Sequence, residues 1–192
     1  MAVDDGGGIK VDRTLSTTAK GIWAVGDVTG GLQFTHVAEH MARGALQNSL
    51  SPLARRISYD AVPWVTYTDP EVAHVGLTEV EANRKDGTTY RYDFQDLDRA
   101  IADGKTDGFV KISADRKGKI LGATIVGHGA GELILPLVMA LQHGLGMSEL
   151  AGTIFPYPTM AEGVKRAANE YMRGRLDSTG GRLLKKVIQW MK

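Results

Sequence analysis

The chain of 192 residues contains no cysteine, and this absence excludes several kinds of chemistry from it. Disulfide bonds, thiolate nucleophiles and cysteine-ligated metal sites cannot occur in this sequence. The formal net charge of +1 is too small to indicate nucleic acid or acidic lipid as a partner. No run of apolar residues approaches the roughly 18 that a membrane-spanning helix needs. The N-terminal residues lack the apolar centre of a signal peptide, so we predict a cytoplasmic protein.

The sequence changes character near Ser51–Arg56, and we predict a domain boundary there. Before it, the apolar run Ile22–Val25 ends at a glycine and an aspartate, which favours a strand buried on both faces, as in a parallel sheet. A helix is predicted from about His36 to Leu50. Residues 1–56 are therefore treated as one segment with its linker.

Residues 57–172 have the pattern of a second domain, with an α+β fold. Thr78 and Glu81 have the spacing of a capping box at the start of a short helix. Strands grouped with helices predict an antiparallel sheet with helices packed on one side. The predicted strands are residues 62–68, 88–95, 108–115 and 119–127, and the predicted helices are residues 78–87, 130–144, 147–152 and 159–173.

Residues 173–192 form a third region, a basic amphipathic tail. Its apolar residues at helical spacing are Leu184, Val187, Ile188 and Met191. This apolar face is short, which favours a helix that packs within the protein or at a dimer contact over a membrane anchor.

Two features of the first segment predict a ligand site. Gly26 and Asp27 follow the predicted buried strand, where a glycine lets a ligand approach the backbone and a carboxylate can accept a hydroxyl hydrogen bond. The predicted helix start at residues 35–38 offers backbone N–H groups and a positive dipole end. A simple aspartate turn is the alternative for the first feature, and the second is common to most helices. His36 and His40 lie one helical turn apart, but without a third ligand they are better explained as surface histidines than as a metal site.

Gly127, Gly129 and Gly131 stand between a predicted strand and a predicted helix, as in a dinucleotide-binding loop. The third glycine of that motif belongs at position 132, which is Glu132, and the following helix is too apolar for an exposed crossover. We therefore predict a tight turn that leads into a buried helix, without a nucleotide.

Tyr157 precedes a proline, and Glu162 follows it by five residues in "FPYPTMAEG". A capped helix with a surface glutamate, capped by Thr159, is one interpretation. A functional aromatic–carboxylate pair is the other, and these residues by themselves do not decide between the two.

In their order along the chain, several motifs resemble the pyridine nucleotide-disulfide oxidoreductases, a family that includes dihydrolipoamide dehydrogenase, glutathione reductase and mercuric reductase. "TLSTTAKGIWAVGDVTGG" resembles the family's last FAD-binding motif, and "VPWVTYTDPEVAHVGLTEVEA" resembles the entry to its C-terminal dimerisation domain. "RAIADGKTDGFVKI", "KILGATIVGHGAGELI" and "YPTMAEG" are similar to later parts of that domain. The resemblance runs from about Ile9 to about Tyr171.

The resemblance implies an FAD-dependent NAD(P)H oxidoreductase that works as a homodimer, with residues 1–56 as the end of the FAD-binding domain and residues 57–172 as the dimerisation domain. Asp27 would bind a ribitol hydroxyl of FAD. The helix start would face the pyrimidine end of the flavin, where N–H groups stabilise negative charge on the reduced ring. The residues implied to bind the cofactor are Gly26, Asp27, Thr35, His36, Val37 and Ala38.

Tyr157 and Glu162 are the catalytic residues that the resemblance implies, and they would serve the flavin of the partner subunit. Disulfide-reducing members have a histidine at the position of Tyr157, whereas mercuric reductases have a tyrosine. A phenol with a pKa near ~10 is a poorer proton shuttle at neutral pH than an imidazole near ~6.5. Mercuric reductases also end in a pair of cysteines, which this chain lacks. The electron acceptor and the choice of NADH or NADPH therefore stay open.

The family's glycine-rich FAD loop, redox-active cysteine pair and NAD(P) domain are missing from this sequence. We therefore expect a C-terminal fragment that holds FAD weakly or not at all and catalyses nothing by itself. The alternative hypothesis is a non-catalytic oligomerisation module.

Overall fold

The computed structural model describes residues 1–177, with side chains as far as Arg175. The chain forms two compact units, Met1–Tyr59 and the part from Asp60 onward. The first unit contains helix α1 (Thr35–Leu50). The elements of the second unit are β1 (Pro63–Thr66), β2 (Glu71–Gly76), α2 (Glu79–Asn83), β3 (Thr88–Asp93), α3 (Asp98–Ala102), β4 (Phe109–Ala114), β5 (Ile120–Gly127), α4 (Ala130–Leu133), α5 (Leu135–His143), α6 (Met147–Gly152) and α7 (Glu162–Asp177).

The first unit has one long helix and a series of turns. α1 buries Val37, Met41 and Ala45, which share one face at helical spacing. The predicted strand Ile22–Val25 is wrong. Within residues 1–59 its pairing is limited to one bridge, between Trp23 and Ser16, because the described chain supplies no strand to lie alongside it.

The second unit is built on a five-stranded antiparallel sheet with the strand order β1-β2-β5-β4-β3. The predicted α+β class and antiparallel sheet are confirmed, including the β4–β5 hairpin. Strand β2 was missing from the sequence prediction. It lies between β1 and β5, so it joins the first predicted strand to the rest of the sheet.

One face of this sheet carries the core of the unit. Val110, Ile112 and Ile125 are fully buried on it, together with side chains of α4–α7. Lys111 alternates with Val110 and Ile112 and therefore points to the opposite face, where it pairs with Glu79 of α2 at 2.6 Å. The larger helices thus lie on one side of the sheet, as predicted, and the short α2 lies on the other.

Three predicted helices differ in their bounds. The helix predicted over residues 78–87 is the shorter α2, which ends at Asn83. The apolar helix predicted over residues 130–144 is two helices that meet at Ile134. Pro136 occupies the first turn of α5, where the helix does not need a backbone N–H and the lack of one in proline is tolerated. α7 begins at Glu162 and not directly after Thr159. The Thr159 hydroxyl donates to the carbonyl of Pro156, so the predicted N-cap role of Thr159 is wrong.

α7 continues to Asp177, five residues into the region predicted as a separate tail. The predicted apolar face of that tail, from Leu184 to Met191, lies outside the described residues. Within residues 1–177, no helix combines the length and the apolar character needed to cross a bilayer.

Candidate functional site

Gly26 lies at the start of a short 3-10 turn, Gly26–Thr29, that packs against the first turns of α1. Its φ of 72° is in the left-handed region, where a side chain is strained. A Cβ at this position would come within 3.1 Å of the Ala38 Cβ. The Gly26 N–H also donates to the Met41 sulfur at 3.4 Å. Glycine is therefore required here for two separate reasons, the backbone angle and the close approach of α1.

Asp27 and the start of α1 are brought to one place by this contact. The Asp27 side chain is exposed, while its carbonyl accepts from the Gly30 N–H and closes the turn. α1 begins at Thr35 with Phe34 as an extended N-cap residue that forms no side-chain cap. The N–H groups of Val37 and Ala38 donate to the Phe34 carbonyl at 3.0 and 2.9 Å, so this helix start acts on a ligand chiefly through the positive end of its dipole. An exposed carboxylate thus lies on a turn that is packed against the first turns of a long helix.

The other predicted residues at this helix start have different environments. Val37 is buried and belongs to the core of the unit, whereas Thr35 is exposed. His36 is exposed and stacks on Phe34 with ring centroids 5.2 Å apart. His40 is also exposed. In the described part of the chain, no three histidine or acidic side chains are placed to share a metal ion.

The glycine-rich turn at residues 127–131 leads into a helix, as predicted. Gly129 has a φ of 70° and forms the N-cap of α4. The Gly131 N–H donates to Glu71 Oε2 at 2.9 Å. A carboxylate from β2 therefore binds a backbone N–H of this turn.

Tyr157 lies on the exposed segment between α6 and α7, and 67% of it is accessible. Its hydroxyl donates to Asp98 Oδ2, the first residue of α3, at 3.0 Å. The hydrogen bond to Asp98 raises the pKa of the Tyr157 phenol above its ordinary value, and the charges of Asp98 and Glu162 raise it further. Arg166 opposes this shift. The phenol is therefore neutral and donates its proton to a carboxylate.

Glu162, the first residue of α7, is only 8% exposed. Its Oε1 lies 3.5 Å from Arg166 Nη2, one turn along the same helix. Its Oε2 is buried and has no hydrogen-bond partner within residues 1–177. A buried carboxylate oxygen without a hydrogen-bond partner is unusual in a folded protein, and it singles out Glu162 among the described acidic residues of the second unit.

Tyr157 and Glu162 therefore lie in one cluster of polar and charged side chains, but each of them contacts a different residue. Asp98 and Arg166 complete this cluster, and sequence reasoning found neither of them. Arg166 follows Glu162 by four helical positions, a spacing that indicates an ion pair. Asp98 is 59 positions from Tyr157, and no local pattern signals such a contact.

Two family models match the chain. Residues 62–168 match the model described as "Pyridine nucleotide-disulphide oxidoreductase, dimerisation domain". Residues 1–42 match the model described as "Pyridine nucleotide-disulphide oxidoreductase".

The relatives that align with the chain include mercuric reductases and dihydrolipoyl dehydrogenases. A mercuric reductase of Bacillus cereus is 40% identical over 171 residues, which is 87% of this chain and 27% of that protein. A dihydrolipoyl dehydrogenase of Cupriavidus necator is 37% identical over 172 residues, which is 88% of this chain and 36% of that protein. The chain thus spans about a third of the length of these relatives.

Solved structures share the fold. LpdA of Mycobacterium tuberculosis superimposes with a TM-score of 0.83 and 32% identity, over 88% of this chain and 38% of that one. The HOCl-induced flavoprotein disulfide reductase RclA of Escherichia coli gives a TM-score of 0.82 and 32% identity, over 88% of this chain and 40% of that one.

Proposed function

The chain belongs to the pyridine nucleotide-disulphide oxidoreductase family, and from this premise we propose that it is the C-terminal, dimer-forming part of an FAD-dependent NAD(P)H oxidoreductase. In this proposal residues 1–56 are the end of the FAD-binding domain and residues 57–172 are the dimerisation domain. The complete enzyme acts in the cytoplasm as a homodimer, and each subunit completes the catalytic site of the other.

The surface of α5 is the observation that carries the proposal of a dimer. Leu137, Val138 and Ala140 are buried in the core, yet Leu135 and Met139 on another side of the same helix are 57% and 51% exposed. Two apolar side chains four positions apart on one helix lie next to each other. An apolar helix that is covered on one side only is typical of a surface that a second subunit covers.

Two features of the first unit support the proposal that part of FAD binds there. Gly26 holds the turn against α1, and this packing places the Asp27 carboxylate near the start of the helix. Asp27 would accept a hydrogen bond from a ribitol hydroxyl. The N-terminal backbone of α1, at Thr35, His36, Val37 and Ala38, would stabilise negative charge at the flavin edge. Bound FAD would supply electron transfer between the nicotinamide and the acceptor.

Tyr157 and Glu162 are proposed to act at the acceptor side of the partner subunit's flavin. Tyr157 is exposed, as a residue that reaches into another subunit must be. With its pKa raised, the phenol gives up a proton even less readily at neutral pH, and this favours an acceptor that needs no proton, such as a soft metal ion, over a disulfide. The charge of Glu162 acts on the Tyr157 phenol and raises its pKa, so we assign Glu162 to the same site.

A non-catalytic oligomerisation module is the second candidate. The exposed apolar side of α5 favours it as well, because the pairing of subunits alone needs no redox-active group. Addition of FAD to the chain, followed by flavin fluorescence, addresses the retention of the cofactor directly. We expect weak binding or none.

Subunit mixing in the complete enzyme tests the shared site. One subunit carries Tyr157→Phe, and the other carries Gly26→Val. The valine introduces a branched side chain at the contact with Ala38, and we expect it to prevent flavin binding. In the mixed dimer, the flavin of the first subunit meets the Tyr157 of the second, so acceptor turnover recovers relative to either homodimer. If mixing gives no recovery, Tyr157 does not serve the partner's flavin and the proposal of a shared site is wrong.

A further inference from the structure

We propose that Asp98 is a positioning residue for Tyr157: it binds the phenol proton and leaves the oxygen lone pairs of the phenol for the electron acceptor. This inference rests on the proposed function, because it assigns the direction in which Tyr157 presents its hydroxyl at the acceptor side. Asp98 does not itself touch the acceptor in this proposal.

The contact between Asp98 and Tyr157 joins two exposed segments that are distant in the sequence. Asp98 opens α3, and Tyr157 lies on the connection between α6 and α7. The phenol oxygen and Asp98 Oδ2 are 3.0 Å apart, within the range of an O–H···O hydrogen bond. A phenol has one proton, and in this arrangement the proton points to Asp98.

The direction of the phenol proton determines whether the exposed side of Tyr157 can donate or accept a hydrogen bond. An oxygen whose only hydrogen is bound to a carboxylate presents lone pairs to its other neighbours. It can accept a hydrogen bond or bind an electrophilic centre, but it cannot donate a proton without first breaking the contact with Asp98. The pair Tyr157–Asp98 therefore discriminates in favour of electron-poor acceptors and against acceptors that must be protonated.

The partner of Asp98 differs from the partners of two aspartates near it in the sequence. Asp93 pairs with Arg91, and Asp103 at the end of α3 pairs with Arg99 at 2.7 Å. Asp98 contacts a neutral phenol instead of a cation. A carboxylate at the start of a helix also has a purely structural explanation, since it interacts favourably with the helix dipole. The experiment must therefore separate these two roles.

The charged groups that face Tyr157 from the adjoining elements are Asp98 on α3 and Glu162 and Arg166 on α7. Glu162 and Arg166 pair with each other, so their charges partly cancel at the phenol. Asp98 is the member of the set with a direct hydrogen bond to the hydroxyl. Removal of its charge is thus expected to change Tyr157 more than removal of another nearby carboxylate.

NMR of the 192-residue chain tests the contact without any enzyme activity. With tyrosine labelled at Cζ with carbon-13, Tyr157→Phe assigns one of the six tyrosine signals, and a pH titration gives its pKa. We expect Asp98→Asn to lower the pKa of Tyr157 towards the ordinary tyrosine value. The matched control Asp96→Asn removes the same charge two positions away and should shift the pKa less. Thermal unfolding of both variants should agree with that of the parent chain.

Equal shifts in Asp98→Asn and Asp96→Asn would overturn the proposal, because they would show a general effect of charge and not a directed hydrogen bond. An unchanged pKa in Asp98→Asn would overturn it as well. Loss of thermal stability in Asp98→Asn without a change in the Tyr157 signal would show that Asp98 serves the helix only.

Steady-state kinetics of the complete enzyme tests the consequence. With mercuric ion as the acceptor, Asp98→Asn should lower kcat about two- to tenfold, because an amide oxygen is a weaker acceptor than a carboxylate and the amide NH2 can instead donate to the phenol oxygen. Asp98→Glu should recover part of the rate, and reduction of the flavin by nicotinamide should not change. In a Tyr157→Phe background, Asp98→Asn should have no further effect, because Asp98 acts through the phenol.

An effect of Asp98→Asn that persists in the Tyr157→Phe background would overturn the positioning role. A different outcome is that Tyr157→Phe leaves turnover unchanged although Asp98→Asn lowers the pKa of Tyr157 in the NMR titration. In that case the proposed function of Tyr157 is wrong, but the hydrogen bond between Asp98 and Tyr157 exists. The two failures are therefore distinguishable.

Discussion

At the scale of single residues, Gly26 connects backbone conformation to the predicted flavin site. Gly26→Ala should destabilise the first unit, because the left-handed φ costs about 1–2 kcal/mol for a residue with a Cβ and the contact with Ala38 adds to this. Gly21→Ala is the matched control, since Gly21 has a φ of 78° but no atom within 4 Å of the added Cβ. Hydrogen exchange of the α1 amides measures both variants. Equal protection in the two would contradict the role of the close contact.

Tyr157 allows a second prediction at this scale, in the complete enzyme. Tyr157→Phe removes an exposed hydroxyl and should leave folding and dimerisation nearly unchanged, while turnover of the acceptor falls. Reduction of the flavin by nicotinamide should keep its rate, because this half-reaction occurs on the other face of the flavin in the proposed enzyme. Stopped-flow measurement of the two half-reactions separates these effects. Full turnover with every acceptor tested would make Tyr157 structural.

Tyr157→His provides the converse test. A histidine near Glu162 restores a group that titrates near neutral pH, so the reduction of a small-molecule disulfide should increase. Tyr157→Phe serves as the control, because it removes the phenol without adding a titratable group. No gain in disulfide reduction relative to Tyr157→Phe would contradict the explanation that this position limits disulfide reduction because it lacks a proton shuttle.

The candidate residues Tyr157 and Glu162 are predicted from the resemblance of the segment "YPTMAEG" to a motif of the family. The residues that contact them differ in how well the sequence predicts them. Arg166 could have been found from the four-residue spacing on α7. Asp98 could not, because its contact with Tyr157 depends on how α3 and the α6–α7 connection are arranged in the folded unit.

At the scale of elements, α2 is held by its capping box. The Thr78 hydroxyl accepts from the Glu81 N–H, and the Glu81 carboxylate accepts from the N–H of Thr78. Thr78→Ala should lower the free energy of unfolding of the second unit by about 1 kcal/mol at neutral pH, whereas Thr78→Ser, which keeps the hydroxyl, should change it little. Urea denaturation measures both. Equal losses in the two variants would exclude the cap as the cause.

The same cap predicts a pH dependence. Hydrogen bonds from the backbone and the side chain of Thr78 lower the pKa of Glu81 below its ordinary value. A lowered folded-state pKa means that the contribution of Glu81 to stability is complete above the ordinary carboxyl pKa and is lost as the pH falls through the folded-state value. The difference between the parent chain and Thr78→Ala should therefore shrink in acid. A difference that stays constant down to pH 2 would contradict this assignment.

The elements show why some segments could be predicted and others could not. The capping box of α2 and the β4–β5 hairpin have local signals, and both are confirmed. β2 was missed because its residues, including His74 and Gly76, have no clear alternation, and its place depends on strands β1 and β5. Ile22–Val25 has the composition of a strand but no neighbouring strand within the described chain.

At the scale of the whole molecule, the exposed side of α5 predicts self-association. We expect the chain to be a dimer at micromolar concentration, because the exposed side of α5 is apolar and a second subunit would cover it. A stable interface of this kind takes about 800 Å² of each partner. Leu135→Lys with Met139→Lys should give a monomer. Val80→Lys with Ile101→Lys is the control, since these side chains are also more than half exposed and lie on α2 and α3. Analytical ultracentrifugation decides, and a monomeric parent chain would exclude the dimer.

The two units should also differ in their resistance to local opening. Before Ser51 the backbone forms isolated β-bridges and one long helix, whereas after Val62 it forms a continuous five-stranded sheet. Amides in the first group should therefore exchange with solvent faster than those in the sheet. Hydrogen exchange followed by mass spectrometry measures this difference. Uniform protection across both units would contradict it.

The pairing of β2 with β5 has a consequence for the synthesis of the protein. His74 and Thr124, opposite each other in these strands, are 50 positions apart in the chain. A ribosome that adds 5–20 residues per second releases β2 roughly 3–10 s before β5 exists. During that time the β1–β2 hairpin has an open edge, and such edges are sites of aggregation. Slower translation of residues 77–119 should therefore lower the yield of folded chain, and a chaperone that covers β2 should restore it.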